Sequence, residues 1–430
     1  MKIILKNIVV YVLTLEAKIL LKRNRPKIVA ITGSVGKTST KDAIYSVLKN
    51  HTHARKSQKS FNSELGVPLS VLGLDSAWNN PVLWLKNMFD GAFAAFFSRS
   101  YPEVLVLEMG VDRPGDMAAL TQWIKPDVVV LTRLPDVPVH VEYFETPERV
   151  VEEKMQLVRA LKKDGVLIYN NDDSKIREAI TEVSQQSFGF SHDTTSHFMI
   201  AGDMVKYDDA GKPVGMLSTL RHVDESTTLS VTGSLGTHHA YNYAAAVAVG
   251  YVFGVSLEDA AASLKKHKPT AGRMRIIEGK AGAVVIDDTY NSSPVAVEQA
   301  LKSLSGIVTN GKKIVVLGDM LELGRFSVRE HERMGELVAD VADVLITIGV
   351  RSRKIAQSAR ENGLKAQYVF EFDNTSQAAE AVLEIVTEKD IVLVKASQGI
   401  RAETVVKALM AHPEEAGSLL VRQSSEWLKK

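Results

Sequence analysis

Apolar positions along this chain fall into two patterns. Short unbroken runs of Val, Ile and Leu are bounded by turn residues, and longer stretches repeat an apolar residue every three or four positions. The first pattern marks strands buried on both faces and the second marks helices with one inward face. Lys27–Ile31, Val104–Leu107, Val128–Leu131 and Val166–Tyr169 are predicted strands, and Lys41–Leu48 and Pro147–Leu161 are predicted helices. Strands alternating with helices in this way predict a mainly parallel sheet covered on both faces. From Phe188 to Thr232 the segments shorten around a turn at Asp208–Pro213, which predicts antiparallel strands added to that sheet. Tyr241–Val255 follows as an alanine-rich helix suited to close packing.

A second alternating unit begins near Gly272, after the Pro- and Gly-punctuated stretch Lys268–Gly272. Its predicted strands are Ala283–Asp287, Lys313–Leu317, Val344–Ile348 and Ile391–Lys395. Two such units joined by a short hinge make a cleft.

Two apolar stretches stand outside this scheme. Ile3 to Leu21 is interrupted by Lys6, Asn7, Glu16 and Lys18 and is followed by Lys22, Arg23 and Arg25. A spanning helix needs about 20 nearly uncharged residues, so residues 1–26 read as an amphipathic helix. Packing on the protein's own body is its expected use, with a membrane surface or a partner subunit, reached through residues 1–25, as the alternatives. Trp84, Phe89, Phe93, Phe96 and Phe97 recur at near-helical spacing. They are expected in the core, with peripheral membrane contact as the alternative.

At 430 residues and 45% hydrophobic content the chain has room for about two or three domains. Its 52 basic and 51 acidic residues leave a formal charge of +1, which gives no field that would draw it to nucleic acid. With no cysteine there is no disulfide, thiolate metal site or cysteine nucleophile. That suits the cytoplasm, the expected location, with membrane association as the alternative.

The chemistry starts at Ile31-Thr-Gly-Ser-Val-Gly-Lys-Thr-Ser-Thr40, between a predicted strand and a predicted helix. Gly33, Ser34, Val35, Gly36, Lys37, Thr38 and Ser39 form a phosphate-binding loop in the context such a loop requires. The glycines let backbone N–H groups converge, the helix start adds positive potential, Lys37 reaches the outer phosphates of ATP and Thr38 can ligate Mg²⁺. The N-terminal helix is thus followed by a P-loop ATPase-type α/β domain over 27–270 and a Rossmann-like α/β domain over 271–430. Glu108 closes the strand beginning at Val104, and carboxylates at such strand ends lie beside the phosphates, so Glu108 is the candidate metal carboxylate. Taken alone, His140 reads as a surface histidine and Lys154 as a partner of neighbouring Glu152 and Glu153.

Further blocks follow in order: Phe61-Asn62-Ser-Glu-Leu-Gly66-Val-Pro68, Leu107-Glu108-Met-Gly110, His140-Val-Glu142, Glu153-Lys154, Asn171-Asp172-Asp173, Asp287-Asp288-Thr-Tyr290-Asn291, Leu317–Gly324 and Lys395-Ala-Ser397. Together with the loop they resemble the Mur ligase family. The stretches around Tyr290 and Asp319 look most like the branch that adds D-alanyl-D-alanine to a UDP-N-acetylmuramoyl-tripeptide.

The resemblance implies an ATP-dependent amide ligase of peptidoglycan synthesis working through an acyl phosphate. It implies Mg²⁺ at two sites: Thr38 and Glu108 on ATP, and His140 with a carbamylated Lys154 near the acyl phosphate. Asn242 would contact adenine, and Arg273 and Asp288 the ribose and phosphates. Asn62, Lys395, Ser397 and Arg401 would face the substrates, a muramoyl peptide and D-alanyl-D-alanine.

Four departures accompany it. Only 26 residues precede the loop strand, too few for the family's UDP-gripping domain; Leu131-Thr-Arg133 replaces Asn-Ile-Gly; His239 stands where asparagine is common; and Ala396 replaces a glycine. They keep open a different acceptor (a lipid-linked muropeptide, a folate or a poly-amino acid) and a non-catalytic ATP-binding scaffold.

Overall fold

The computed structural model describes residues 3–58, 60–98 and 100–428. Its larger sheet has nine strands: β1 (Lys27–Thr32), β2 (Ala54–Lys56), β3 (Val104–Glu108), β4 (Val128–Leu131), β5 (Val166–Asn170), β6 (Gln186–Ser191), β7 (Phe198–Tyr207), β8 (Pro213–His222) and β9 (Glu225–Thr232). They lie in the order β2-β3-β1-β4-β5-β6-β7-β8-β9.

Strands β1 to β7 run parallel, and β8 alone is reversed, pairing antiparallel with β7 on one side and β9 on the other. The expected antiparallel region therefore starts later than Phe188. The reason is local: a helical turn at Ser174–Ala179 carries the chain back over the sheet, so Gln186–Ser191 enters parallel to β5.

Alternate residues of each central strand feed two cores, as the two-residue pleat requires. Val29 and Ile31 of β1 and Val106 of β3 pack with α2 (Lys37–Leu48). Ile28, Ala30, Leu105 and Leu107 pack on the other face with α3 (Gly66–Leu72). The alanine-rich helix His238–Val252 covers α2 closely: a Cβ on Gly250 would lie 2.8 Å from Val47 Cγ1.

The N-terminal helix, α1 (Ile3–Asn24), buries Val9, Leu13, Ala17 and Leu20 against α3 and α4 (Pro81–Phe97). Its outer face is not polar as an amphipathic helix requires, because Leu5, Ile8, Tyr11 and Leu15 are exposed there. The aromatic stripe is also corrected. Trp84 is buried, but Phe89, Phe93 and Phe97 are 68%, 66% and 65% exposed. Gly91 and Ala95 occupy the face of α4 that meets α1, and small residues there turn the large rings outward.

The second sheet comprises β10 (Arg275–Glu278), β11 (Val284–Asp288), β12 (Lys313–Gly318), β13 (Val344–Ile348), β14 (Val369–Phe372) and β15 (Ile391–Lys395). Their order is β10-β11-β15-β12-β13-β14, with β10 alone antiparallel. The loops after β4 and β12 touch, so the C-terminal ends of both sheets open onto one cleft.

Candidate active site

The loop between β1 and α2 depends on two glycines. Gly33 has φ 141° and Gly36 φ 88°, which L side chains rarely adopt. A Cβ on Gly33 would lie 2.1 Å from Thr132 Oγ1, and one on Gly36 would lie 2.9 Å from Asn242 Oδ1. The loop is thus folded tightly, and α2 follows it with an N-terminus suited to an anion. Thr132 Oγ1 donates to Val35 O at 2.6 Å, and Ser34 N to Arg133 O at 2.7 Å, tying the loop to the end of β4. Lys37 Nζ folds back onto Gly33 O at 2.8 Å. Ser39 is buried behind the loop, and Ser34 Oγ is buried with no protein partner.

Glu108, at the end of β3, is 1% exposed. It accepts from Thr38 Oγ1 at 2.9 Å and from Asn62 Nδ2 at 3.0 Å, and Lys41 Nζ lies 3.8 Å away. A hydroxyl and a carboxylate oxygen beside a phosphate loop are the hard donors Mg²⁺ prefers, with phosphate oxygens and water completing its shell. The pair fits that ion. Asn62 donates to this carboxylate and so orients it.

Lys154 lies on the helix Pro147–Arg159 and is 2% exposed. Burial holds its amine well below the ordinary lysine range, and the charge of Lys37 pushes the same way against Asp112 and Glu153. Glu153 is engaged elsewhere, accepting from Met117 N at 2.8 Å and Ala118 N at 3.2 Å. In place of the expected pairing of Lys154 with its neighbours, the amine is buried where its charged form is disfavoured.

His140 has a left-handed backbone, φ 67°, and its Nδ1 lies 2.7 Å from Glu322 Oε2 of the other lobe. Asp112 approaches its Nε2 at 3.5 Å. Among the described residues no three His, Cys, Asp or Glu side chains gather as a metal site. A second Mg²⁺ beside His140 fits these residues only if Lys154 carries an added anionic group.

The cleft has a volume of about 720 Å³ and is lined by Gly36, Arg133, His238, Tyr241, Asn242 and Glu298 among others. Asn242 Oδ1 accepts from Thr40 Oγ1 at 3.0 Å, leaving its buried Nδ2 with no protein partner. His238 Nδ1 is likewise orphaned, and burial, then Lys395, Arg273 and Arg133, pushes its pKa down to about 3. Those cations give the cleft a potential suited to a polyphosphate. Sequence reasoning missed His238 and Arg133 as site residues; His238 stands four residues before Asn242, at the start of the same helix.

From the second lobe, Arg273 lies over the Tyr290 ring at 4.1 Å. Lys395 Nζ meets Asp288 Oδ2 at 2.7 Å and donates to Asn291 O at 2.8 Å. Ser397 Oγ accepts from Leu321 N at 2.9 Å. Arg401 is turned away from this group, its Nε donating to Glu403 at 2.6 Å and its guanidinium facing the Trp427 ring. The geometry brings Thr38, Glu108 and Asn62 into contact, joins Asp288 to Lys395, and leaves Arg401 in a separate network.

A phosphate loop at the carboxyl ends of a parallel sheet, faced by a second α/β lobe across a cationic cleft, defines a two-lobed P-loop nucleotide-binding protein. Comparison with known proteins takes this further. A family model of the Mur ligase middle domain matches residues 31–83 and 91–250, and one of the Mur ligase glutamate ligase domain matches 272–398. The UDP-N-acetylmuramoyl-tripeptide–D-alanyl-D-alanine ligase of Bacillus subtilis (strain 168) is 30% identical over 398 residues, covering 92% of this chain and 79% of that one. The Mycobacterium leprae enzyme of the same name is 31% identical, over 87% of this chain and 71% of its own. The MurF ligase of Thermotoga maritima, solved in complex with ADP, superposes with a TM-score of 0.76 at 27% identity, covering 95% of this chain and 84% of that one. The chain belongs to the Mur ligase family, which makes it an ATP-dependent ligase that forms carbon–nitrogen bonds.

Proposed function

We propose that this protein joins D-alanyl-D-alanine to a UDP-N-acetylmuramoyl-tripeptide in peptidoglycan synthesis. The observation that carries the reading is the 30% identity, over 398 residues, to the Bacillus subtilis ligase of that name. The tripeptide carboxylate attacks the γ-phosphorus of ATP, forming an acyl phosphate and expelling ADP. The dipeptide amine then attacks the acyl carbon, phosphate leaves, and the nitrogen gives up a proton. Both steps build charge on phosphoryl oxygens, where fixed cations contribute most.

Each side chain then has a task. Lys37 leaves Gly33 O to reach the β- and γ-phosphates. Thr38 and Glu108 hold a Mg²⁺, with Asn62 fixing the carboxylate. When bound, that ion screens the phosphate charge and orients the oxygens for in-line attack. Asn242 offers its unpartnered Nδ2 to the adenine, and Arg273 and His238 line the phosphate side. Lys395, held by Asp288, and Ser397 face the incoming amine, and Arg401 joins them only if the Trp427 contact opens.

For Lys154 the reading is a carbamate. The amine in its uncharged form attacks CO₂ and loses a proton, turning a group that would repel a metal into an anion that, with His140, could hold a second Mg²⁺. Burial, which disfavours the charged form of the amine, supports this chemistry.

Phosphate release measured over a panel of UDP-muramoyl peptides and dipeptides tests the function. Release is expected only with the tripeptide and D-alanyl-D-alanine together. Release with another acceptor and none with this pair overturns the substrate assignment.

A further inference from the structure

We propose that α1 and α4 together form a platform that docks on an anionic lipid surface. The two helices lie side by side with their C-terminal ends together. Arg23 donates to Ala95 O at 3.3 Å and Ser98 O at 2.9 Å, and a Cβ on Gly91 would lie 2.1 Å from the Glu16 carboxylate. What they turn outward is apolar: Ile8, Tyr11 and Leu15 from α1, and Phe89, Phe93 and Phe97 from α4. Phe93 and Phe97 rest against each other, centroids 5.5 Å apart. The match to the Mur ligase middle domain begins at residue 31 and omits 84–90, so α1 lies outside it and α4 is broken within it. The family's shared chemistry does not account for this face.

Charge identifies the occupant. The exposed stripe of α1 continues from Ile8, Tyr11 and Leu15 into Lys18 and Lys22 at the same three- and four-residue spacing, and the exposed Arg25 follows just past the helix end. Among the described residues these three cations are paired with no carboxylate. Glu16, the only acidic residue of α1, is buried against α4 rather than presented outward. On α4 the Asp90 carboxylate is matched by Lys86. Apolar rings flanked by unopposed Lys and Arg are what an interfacial helix presents to anionic headgroups and the acyl chains beneath them. A second copy fits poorly, since it would either bury those cations or set them against their own kind. No helix among the described residues is long and apolar enough to cross a membrane, so the contact is peripheral.

The full chain is sedimented with vesicles of phosphatidylglycerol mixed with phosphatidylcholine, and with phosphatidylcholine alone. It is expected to pellet with the anionic vesicles and to be released by salt. Phe89→Ser/Phe93→Ser/Phe97→Ser should abolish pelleting without lowering the unfolding midpoint. Lys18→Gln/Lys22→Gln/Arg25→Gln, which alters only solvated side chains and so guards against a folding defect, should weaken it about fivefold per charge removed. Absence of pelleting by the unaltered chain, or equal pelleting by either variant, overturns the proposal. So does a dimer, or capture of a protein, that depends on these phenylalanines while vesicles are ignored. The assay requires no turnover, so it stands apart from the ligase reading.

Discussion

His140 and Glu322 meet at 2.7 Å across the cleft, and both hold left-handed backbones, φ 67° and φ 63°. Such a backbone is strained for a residue with a side chain, and it persists where the surroundings enforce it. Here two strained residues on opposite lobes are the point of contact. Their pairing joins the two lobes across the cleft.

Glu322→Gln is therefore expected to loosen closure. A part-exposed polar contact of this kind contributes up to about 1 kcal/mol, on the order of a fivefold effect. Turnover should fall by about that factor, and small-angle scattering should show a larger average radius with nucleotide bound. Unchanged turnover and radius would make the contact incidental.

Lys37→Ala and Glu108→Ala are expected to reduce ATP turnover by about a hundredfold or more, the usual cost of losing one charge stabiliser at a reacting phosphoryl group. Circular dichroism should remain that of the unaltered protein. Turnover within a few-fold of normal in either variant removes that residue from the assignment.

For Lys154 the prediction is chemical. Lys154→Ala should be inactive and regain part of its rate with acetate or another short carboxylate, which supplies the missing anion. Carbon-13 bicarbonate should give the unaltered protein a carbamate resonance that the variant lacks. Full activity in Lys154→Arg would leave only an ion-pairing role.

Stability should peak near neutral pH. Burial pushes His267 down to about 4, against Asp42 and with Lys56 and Lys49, and His238 down to about 3. Both lie below the ordinary 6.5. The unfolded chain then binds more protons, so their contribution is present above 6.5 and lost as pH falls. His192 is the opposite case: hydrogen bonds accepted by the Asp172 and Asp203 carboxylates raise it from 6.5 to about 9, so its contribution is present below 6.5 and lost as pH rises toward 9. Urea midpoints taken across the range should show a shallower acid limb in His267→Gln and a shallower alkaline limb in His192→Gln. Parallel curves would contradict both.

The strands most readily read from the sequence are those buried on both faces, such as Val128–Leu131, Val344–Ile348 and Ile391–Lys395. Burial on two sides demands an unbroken apolar run, and little else produces one. Ala54–Lys56 and Val369–Phe372 escape that reading because each is short and at a sheet edge, where polar residues are tolerated. The phosphate loop is legible because its chemistry is contiguous. The roles of His238 and Glu322 are not, since each depends on packing against distant segments: Lys395 and Arg273 beside the first, His140 beside the second. The outward phenylalanines of α4 were hidden for a related reason. Helical spacing shows that residues share a face, and only the neighbour decides which face is covered.

Trp427 bears on how firmly the two lobes are held together. Trp427 meets Trp78 of the first lobe edge to face, centroids 5.5 Å apart, while Arg401 of the second lobe lies 5.6 Å from the Trp427 ring. Parting the lobes at this edge requires the two rings to separate. An aromatic pair contributes about 1 kcal/mol beyond the area it covers, so any separation of the lobes at this edge would cost about that much from this contact alone. Trp427 is thus a light clasp between the lobes, and Trp427→Ala would loosen that edge without touching any group assigned to ATP.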